Sequence, residues 1–119
     1  MKRLAVSFSC ALQGIYQSIA GAPNMRIHLL AAVSVVVLGY IVSLTRIEWA
    51  LLSLTVFMVL TAETINSAIE RTVDLACQER HAIAKLAKDL AAGAVLLTAL
   101  NAIVMAILLF GPYLQRVII

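Results

Sequence analysis

Four polar side chains recur at helical spacing along a stretch of the sequence that contains neither Gly nor Pro. They are Glu63, Asn66, Glu70 and Asp74. An α-helix turns by about 100° per residue, so these four positions fall within about 80° of one another. The sequence therefore predicts a helix face that carries three carboxylates and one amide.

The surroundings of this face indicate what chemistry it could do. Glu63 directly follows the uncharged residues 49–62, which predicts a carboxylate near a membrane boundary, where a charge rarely lies without a partner or a function. Adjacent carboxylates can hold Mg²⁺, which prefers oxygen ligands, and a carboxylate in a drier site can act as a base. We therefore interpret Glu63, Asn66 and Glu70 as functional, whereas Asp74 alone fits the solvated end of a helix.

A second pair of charges, Lys88 and Asp89, precedes the last apolar run. Read alone, the lysine reaches toward the membrane interface and the aspartate favours a helix N-terminus. Next to the polar face formed by Glu63, Asn66, Glu70 and Asp74, the lysine could bind phosphate and the aspartate could hold a metal or position the lysine. His81 either contacts a nucleotide or is simply solvated. The sequence has no Walker A or kinase-type glycine loop, so phosphoryl transfer would need another architecture.

The composition indicates an integral membrane protein. Of 119 residues, 63% are hydrophobic and 13% are charged, against about 45–50% and about 25% in an average soluble domain. Three apolar runs cover 29–45, 49–62 and 90–110. The net charge of +3 comes from scattered basic residues, which argues against a nucleic-acid partner. The cysteines form no metal or disulfide motif, so we expect free thiols.

These runs predict an all-α protein of a single domain, 1–119. We expect an amphipathic surface helix over 1–21, although this segment also resembles a short secretory signal. The helices that contain the three spans are predicted at 29–45, 48–77 and 89–111. The second continues past Ala62 because no helix-breaking residue follows.

The basic residues predict the orientation of the chain in the membrane. Those on one side of the spans are Lys2, Arg3, Arg26, Arg71, Arg80, Lys85 and Lys88, and those on the other are Arg46 and Arg116. Positive charge concentrates on the cytoplasmic side, so the N-terminus is expected in the cytoplasm and the residues Tyr40, Trp49 and Tyr113 near the outer interface. Three short helices enclose a polar site poorly, which favours self-association.

The polar motif resembles one family. Residues 63–74, with the pattern E-x-x-N-S-A-I-E-x-x-x-D, together with Ala87-Lys88-Asp89, resemble the bacterial diacylglycerol kinases, small membrane lipid kinases that include the undecaprenol kinases. The resemblance covers nearly the whole chain. The stretch from Asn24 to His28 looks more like the undecaprenol kinase branch.

The resemblance implies a homotrimer of the bacterial inner membrane with active sites between subunits. It implies Mg²⁺-dependent transfer of the ATP γ-phosphate to diacylglycerol or undecaprenol at the cytoplasmic interface. By position, Glu63 would be the base for the lipid hydroxyl and would contact the lipid. Asn66 would support Glu63 by hydrogen bonding, and Ala92 would lie at the lipid substrate. The metal would be bound by Glu70. The residues implied at the nucleotide are Arg3, Glu70, Glu79, His81, Lys88 and Asp89.

One position departs from the family pattern. Ala22 stands where the family usually has a Glu that serves as a second metal ligand, and its side chain offers no oxygen. Two interpretations stay open: Glu70, phosphates and water hold the metal, or the chain is a weakened or inactive member that acts as a membrane interaction protein. A third interpretation is a small ion or proton pathway, which is disfavoured because the first and third apolar runs carry no charged residue.

Overall fold

The computed structural model describes residues 2–118, with side chains described through Arg116. Four helices follow one another: α1 (Lys2–Gly21), α2 (Pro23–Ile41), α3 (Arg46–Ala76) and α4 (Ala82–Ile118). No strand occurs within residues 2–118. The prediction of an all-α fold is confirmed.

Three of these helices, α2, α3 and α4, are long and apolar enough to cross a membrane, as the sequence predicted. The 31 residues of α3 make a helix about 46 Å long, whereas the hydrocarbon core of a bilayer is about 30 Å thick. The end of α3 that carries the polar face therefore extends beyond the apolar part of the span. This fits the predicted continuation of the helix past Ala62.

The ends of α2 differ from the predicted range of 29–45. The helix begins at Pro23, because the missing N–H and fixed φ of proline suit the first helical position. It ends at Ile41, where a turn leads through Ser43, whose φ is 57°, to Thr45. There the Thr45 side chain accepts from the Glu48 N–H at 3.4 Å and the Thr45 N–H donates to the Glu48 carboxylate at 2.7 Å. This capping box starts α3.

The last helix is longer at both ends than the predicted 89–111. It starts at Ala82 because the segment before the apolar run is rich in Ala, Leu and Lys, which are good helix formers, and it continues past Pro112. Hydropathy marks only the part of a helix that suits the hydrocarbon, so it underestimated α4 at both ends.

The packed core lies at the end of the bundle away from the polar face. Buried apolar side chains gather there, namely Leu44, Leu52, Leu109 and Phe110. The rings of Tyr40 and Trp49 have centroids 4.7 Å apart, and the Tyr113 hydroxyl donates to Glu48 at 2.8 Å. The three aromatic residues expected at the outer interface thus lie at one end of the molecule, which leaves the other end for polar chemistry.

A glycine makes the close approach at this core. A Cβ at Gly39 would lie 2.9 Å from Leu44 and 3.0 Å from the Trp49 ring. We predict that Gly39→Leu destabilises the protein by about 1–3 kcal/mol, the usual cost of overpacking, measured by thermal unfolding in detergent. Gly111→Leu is the control, because its Cβ meets no atom within 4 Å; equal melting temperatures for both variants would contradict the prediction.

The shape of a single chain is flat rather than globular. Its extents are 58 × 43 × 20 Å and its radius of gyration is 17.7 Å, against about 13–14 Å for a compact domain of this length. A thickness of 20 Å is about two helix diameters. Much apolar surface on the spans is therefore exposed and must meet lipid or other protein.

Candidate active site

The predicted polar face borders a cleft between α3 and the start of α2. This carboxylate cleft has a volume of about 290 Å³ and is lined by Gly21, Ala22, Pro23, Asn24, Glu63, Asn66, Ser67, Glu70, Arg71 and Asp74. The structure thus brings Glu63, Asn66, Glu70 and position 22 together. The break at Ala22 between α1 and α2 places this connection opposite the polar face of α3.

Two oxygen atoms in the cleft are buried without a partner. Glu63 is only 2% exposed, and neither its Oε2 nor the Oδ1 of Asn66 makes a hydrogen bond within the described part of the chain. The Asn66 amide donates to Glu70 Oε1 at 3.3 Å. Leaving a buried polar atom unpaired is costly, so the free oxygens indicate a site built to receive hydrogen-bond donors or a cation.

The donor chemistry of the cleft fits Mg²⁺. Glu63, Glu70 and Asp74 offer carboxylate oxygens and Asn66 an amide oxygen, the ligands that hard cations prefer. Within residues 2–118, no three His, Cys, Asp or Glu side chains cluster closely enough to hold a metal by themselves. Mg²⁺ is usually bound by one or two carboxylates together with water and substrate phosphates, so Glu70 with substrate phosphates would be a sufficient set of ligands.

A second opening, the loop crevice, surrounds the connection between α3 and α4. It has a volume of about 570 Å³ and is lined by Val73, Asp74, Cys77, Gln78, Glu79, Arg80, His81, Ala82, Ala84, Lys85 and Lys88. Lys88 Nζ lies 2.5 Å from Asp74 Oδ1. Asp74 borders both openings, so an elongated ligand in the loop crevice could reach the carboxylate cleft. Three residues that the resemblance implies at a nucleotide, Glu79, His81 and Lys88, therefore lie together.

The other residues that the resemblance implies at the nucleotide or the lipid lie elsewhere. Arg3 is exposed in the first turn of α1 and lines neither opening. Asp89 pairs with Lys85, whose Nζ lies 2.5 Å away. Ala92 is exposed on α4. A single chain does not bring these three residues to the carboxylate cleft.

Sequence reasoning missed Ser67 and Arg71 as parts of the site. Ser67 is 8% exposed and both residues line the cleft. At 100° per residue they lie about 40° and about 80° from Glu63 around α3, so the helical period carried a signal for them. The contact from the Arg71 guanidinium to the Gln17 carbonyl, at 3.2 Å, joins residues distant in sequence and had no local signal.

An apolar cavity of about 220 Å³ lies between α2, α3 and α4. Its lining includes Val59 and Leu60, one helical turn before Glu63, and His28, one turn after Asn24. It extends from the level of the buried carboxylate toward the packed core. The apolar cavity and the carboxylate cleft thus lie next to each other along α2 and α3.

Comparison with known proteins shows the family of this chain. The family model of the prokaryotic diacylglycerol kinases matches residues 9–110. An undecaprenol kinase of Bacillus subtilis is 38% identical over 114 residues, covering 96% of this chain and 93% of that protein. A diacylglycerol kinase of Synechocystis is 40% identical over 117 residues, covering 97% and 67%, and one of Pseudomonas aeruginosa is 32% identical over 94 residues, covering 79% and 76%. The chain belongs to the prokaryotic diacylglycerol kinase family, whose members are lipid kinases.

Proposed function

We propose that this chain transfers the γ-phosphoryl group of ATP to the hydroxyl of a membrane lipid alcohol, either diacylglycerol or undecaprenol. The observation that carries the proposal is the buried, unpartnered Glu63 oxygen in the wall of a polar cleft, one helical turn from Val59 and Leu60 in the wall of an apolar cavity. A lipid alcohol would satisfy both surroundings, because its O–H group can donate to the Glu63 oxygen and its apolar chain can occupy the apolar cavity.

Glu63 would act as the base for the lipid hydroxyl. Its Oε2 accepts the hydroxyl proton while the lipid oxygen bonds to the γ-phosphorus, the bond from that phosphorus to the bridging oxygen breaks, and ADP leaves. Asn66 lies one turn away on α3 and donates to Glu70, while its Oδ1 has no partner among the described residues and is available to accept a hydrogen bond. Such transfer depends mainly on positioning and charge stabilisation.

The nucleotide would lie in the loop crevice with its phosphates directed toward Asp74 and the carboxylate cleft. Lys88 would neutralise phosphate charge, and Glu79 and His81 would contact the nucleotide, joined in the assembled protein by Arg3 and Asp89. Mg²⁺ held by Glu70 would neutralise charge on the phosphates. Ala92 would border the lipid.

A transfer assay tests this proposal. Purified protein in a bilayer is supplied with γ-³²P-ATP and, separately, diacylglycerol, undecaprenol and a lipid with no hydroxyl. We expect label in one or both alcohols only, which also identifies the acceptor. Absence of label in every lipid would contradict the proposal.

We also propose the membrane arrangement that the resemblance implies, a homotrimer in the bacterial inner membrane with the N-terminus in the cytoplasm and α1 on the cytoplasmic surface. The flat shape and exposed apolar faces of one chain support association. The positions of Arg3, Asp89 and Ala92 away from the cleft support sites completed between subunits.

A weakened or inactive family member is the second candidate, favoured by Ala22 in the wall of the cleft. Because a further carboxylate increases affinity for a hard cation, we predict that Ala22→Glu lowers the Mg²⁺ concentration needed for half-maximal transfer by about tenfold. The assay is a magnesium titration of both proteins. An inactive natural protein that this change activates would establish the second candidate, and an unchanged titration would contradict the metal role of position 22.

The charge of Lys88 has its own test. Lys88→Gln removes the cation that borders the loop crevice and pairs with Asp74, so we predict a rise of about tenfold in the KM for ATP, since a charge-assisted contact is lost. Initial rates at varied ATP measure it. Arg116→Gln, which removes one positive charge near the other end of the bundle, is the control, and equal KM values in the two variants would oppose the assignment.

A further inference from the structure

A third opening, the α1–α3 crevice, lies outside the openings assigned above to nucleotide and base. It has a volume of about 410 Å³ and is lined by Cys10, Gln13, Gly14, Gln17, Ser18, Thr64, Ser67, Ala68 and Arg71. This lining contains hydroxyls, amides and one cation, but no acidic residue. The carboxylate cleft next to it shares Arg71 but also carries three carboxylates, so an anion without a bound cation is bound less favourably in the cleft than in the α1–α3 crevice.

A buried hydroxyl in the crevice lacks a partner. Ser18 is 4% exposed, although the rest of α1 is largely exposed. Its Oγ is buried and makes no hydrogen bond among the described residues. The side chain lines the crevice, so a polar group there would satisfy it.

Arg71 supplies the charge. Its guanidinium donates through one nitrogen to the Gln17 carbonyl at 3.2 Å and lies so close to Gly21 that a Cβ there would approach it to 2.5 Å. A guanidinium has five N–H donors, and no carboxylate lies within 4 Å of Arg71 among the side chains that the structure describes. The contact with α1 therefore fixes the group and leaves most of its donors available.

We propose that the α1–α3 crevice binds the phosphate group of a lipid phosphate, which would be the product of the reaction; that identity rests on the proposed function. Fixed guanidinium donors bind phosphate oxygens strongly, and the Ser18 and Ser67 hydroxyls can donate to the same oxygens. Ser67 and Arg71 line both this crevice and the carboxylate cleft. Because these two residues separate the openings, a newly formed lipid phosphate would move from the carboxylate cleft past them into the α1–α3 crevice.

Binding without nucleotide tests the proposal. The full chain in phosphatidylcholine nanodiscs is titrated with radiolabelled dioctanoyl phosphatidic acid. Arg71→Gln should raise the Kd by about tenfold or more. Gly14→Leu should do the same by filling the crevice, because a Cβ at Gly14 meets no atom within 4 Å and leucine favours the helix. Gly111→Leu has the same open space around its Cβ and should bind like the natural protein.

Competing ligands separate the sources of phosphate. We expect dioctanoyl phosphatidic acid to bind more tightly than dioctanoyl phosphatidylglycerol, inorganic phosphate or dioctanoylglycerol. Equal binding of any of these three, or an unchanged Kd in Arg71→Gln and Gly14→Leu, would overturn the proposal. Because the assay needs no turnover, a protein that transfers no phosphate yet binds the lipid phosphate here would contradict the proposed function alone, and the reverse result would contradict this inference alone.

Discussion

Glu63→Gln is expected to reduce lipid phosphorylation by about 10²–10⁴-fold, the usual contribution of a positioned general base. Gln has nearly the shape of Glu, but its amide cannot take the proton from the lipid hydroxyl. Glu63 is 2% exposed, and a buried carboxylate without a partner costs stability. The same variant should therefore melt at the same temperature as the natural protein or higher.

The two measurements together separate a catalytic role from a structural one. Label transfer is compared at saturating ATP and lipid, and unfolding is followed in the same detergent. Glu48→Gln is the matched control on α3, because its amide oxygen can still accept from Thr45 and Tyr113. Unchanged transfer in Glu63→Gln, or equal losses in the two variants, would mean that Glu63 is not the base.

Glu70→Gln is expected to reduce transfer by about 100-fold at limiting Mg²⁺, since charge stabilisation of the phosphates is worth several kcal/mol. Gln can still accept the hydrogen bond from Asn66 Nδ2, which lies 3.3 Å from Glu70 Oε1. The substitution therefore removes charge and keeps local geometry. A magnesium titration measures the effect, and excess Mg²⁺ should restore part of the activity.

The magnesium dependence distinguishes this role from that of Glu63. Loss of a base is not recovered by more metal, so Glu63→Gln should remain inactive across the titration. A Glu70→Gln variant with the magnesium titration of the natural protein would show that Glu70 does not hold the metal. The melting temperature of each variant controls for unfolding.

The sequence was sufficient to predict the spans and the polar face. The apolar runs are separated by charged or breaking residues, and the spacing of Glu63, Asn66 and Glu70 fixes their side of α3 whatever the helix packs against. The helix ends were less predictable from hydropathy, because the turn before Thr45 is as apolar as the helix it ends. The capping box of Thr45 and Glu48 was the local signal for that boundary.

The neighbours of the polar face could not be predicted from local pattern. The approach of the Ala22 connection to Glu70, and of Arg71 to Gln17, depends on how α1 packs against α3. Such contacts join residues about fifty positions apart, and helical periodicity carries no information about them. The burial of Ser18, a small polar residue in an exposed helix, arises from the same packing.

The most direct test of phosphoryl transfer by this protein follows the phosphorus itself. Protein in a bilayer with Mg²⁺ and the preferred lipid alcohol is given ATP labelled at either the α- or the γ-phosphorus, and the lipid is extracted and counted. We predict label in the lipid from γ-³²P-ATP only, dependent on Mg²⁺ and lost in Glu63→Gln. Label-free lipid with the natural protein, or equal label with Glu63→Gln, would contradict it.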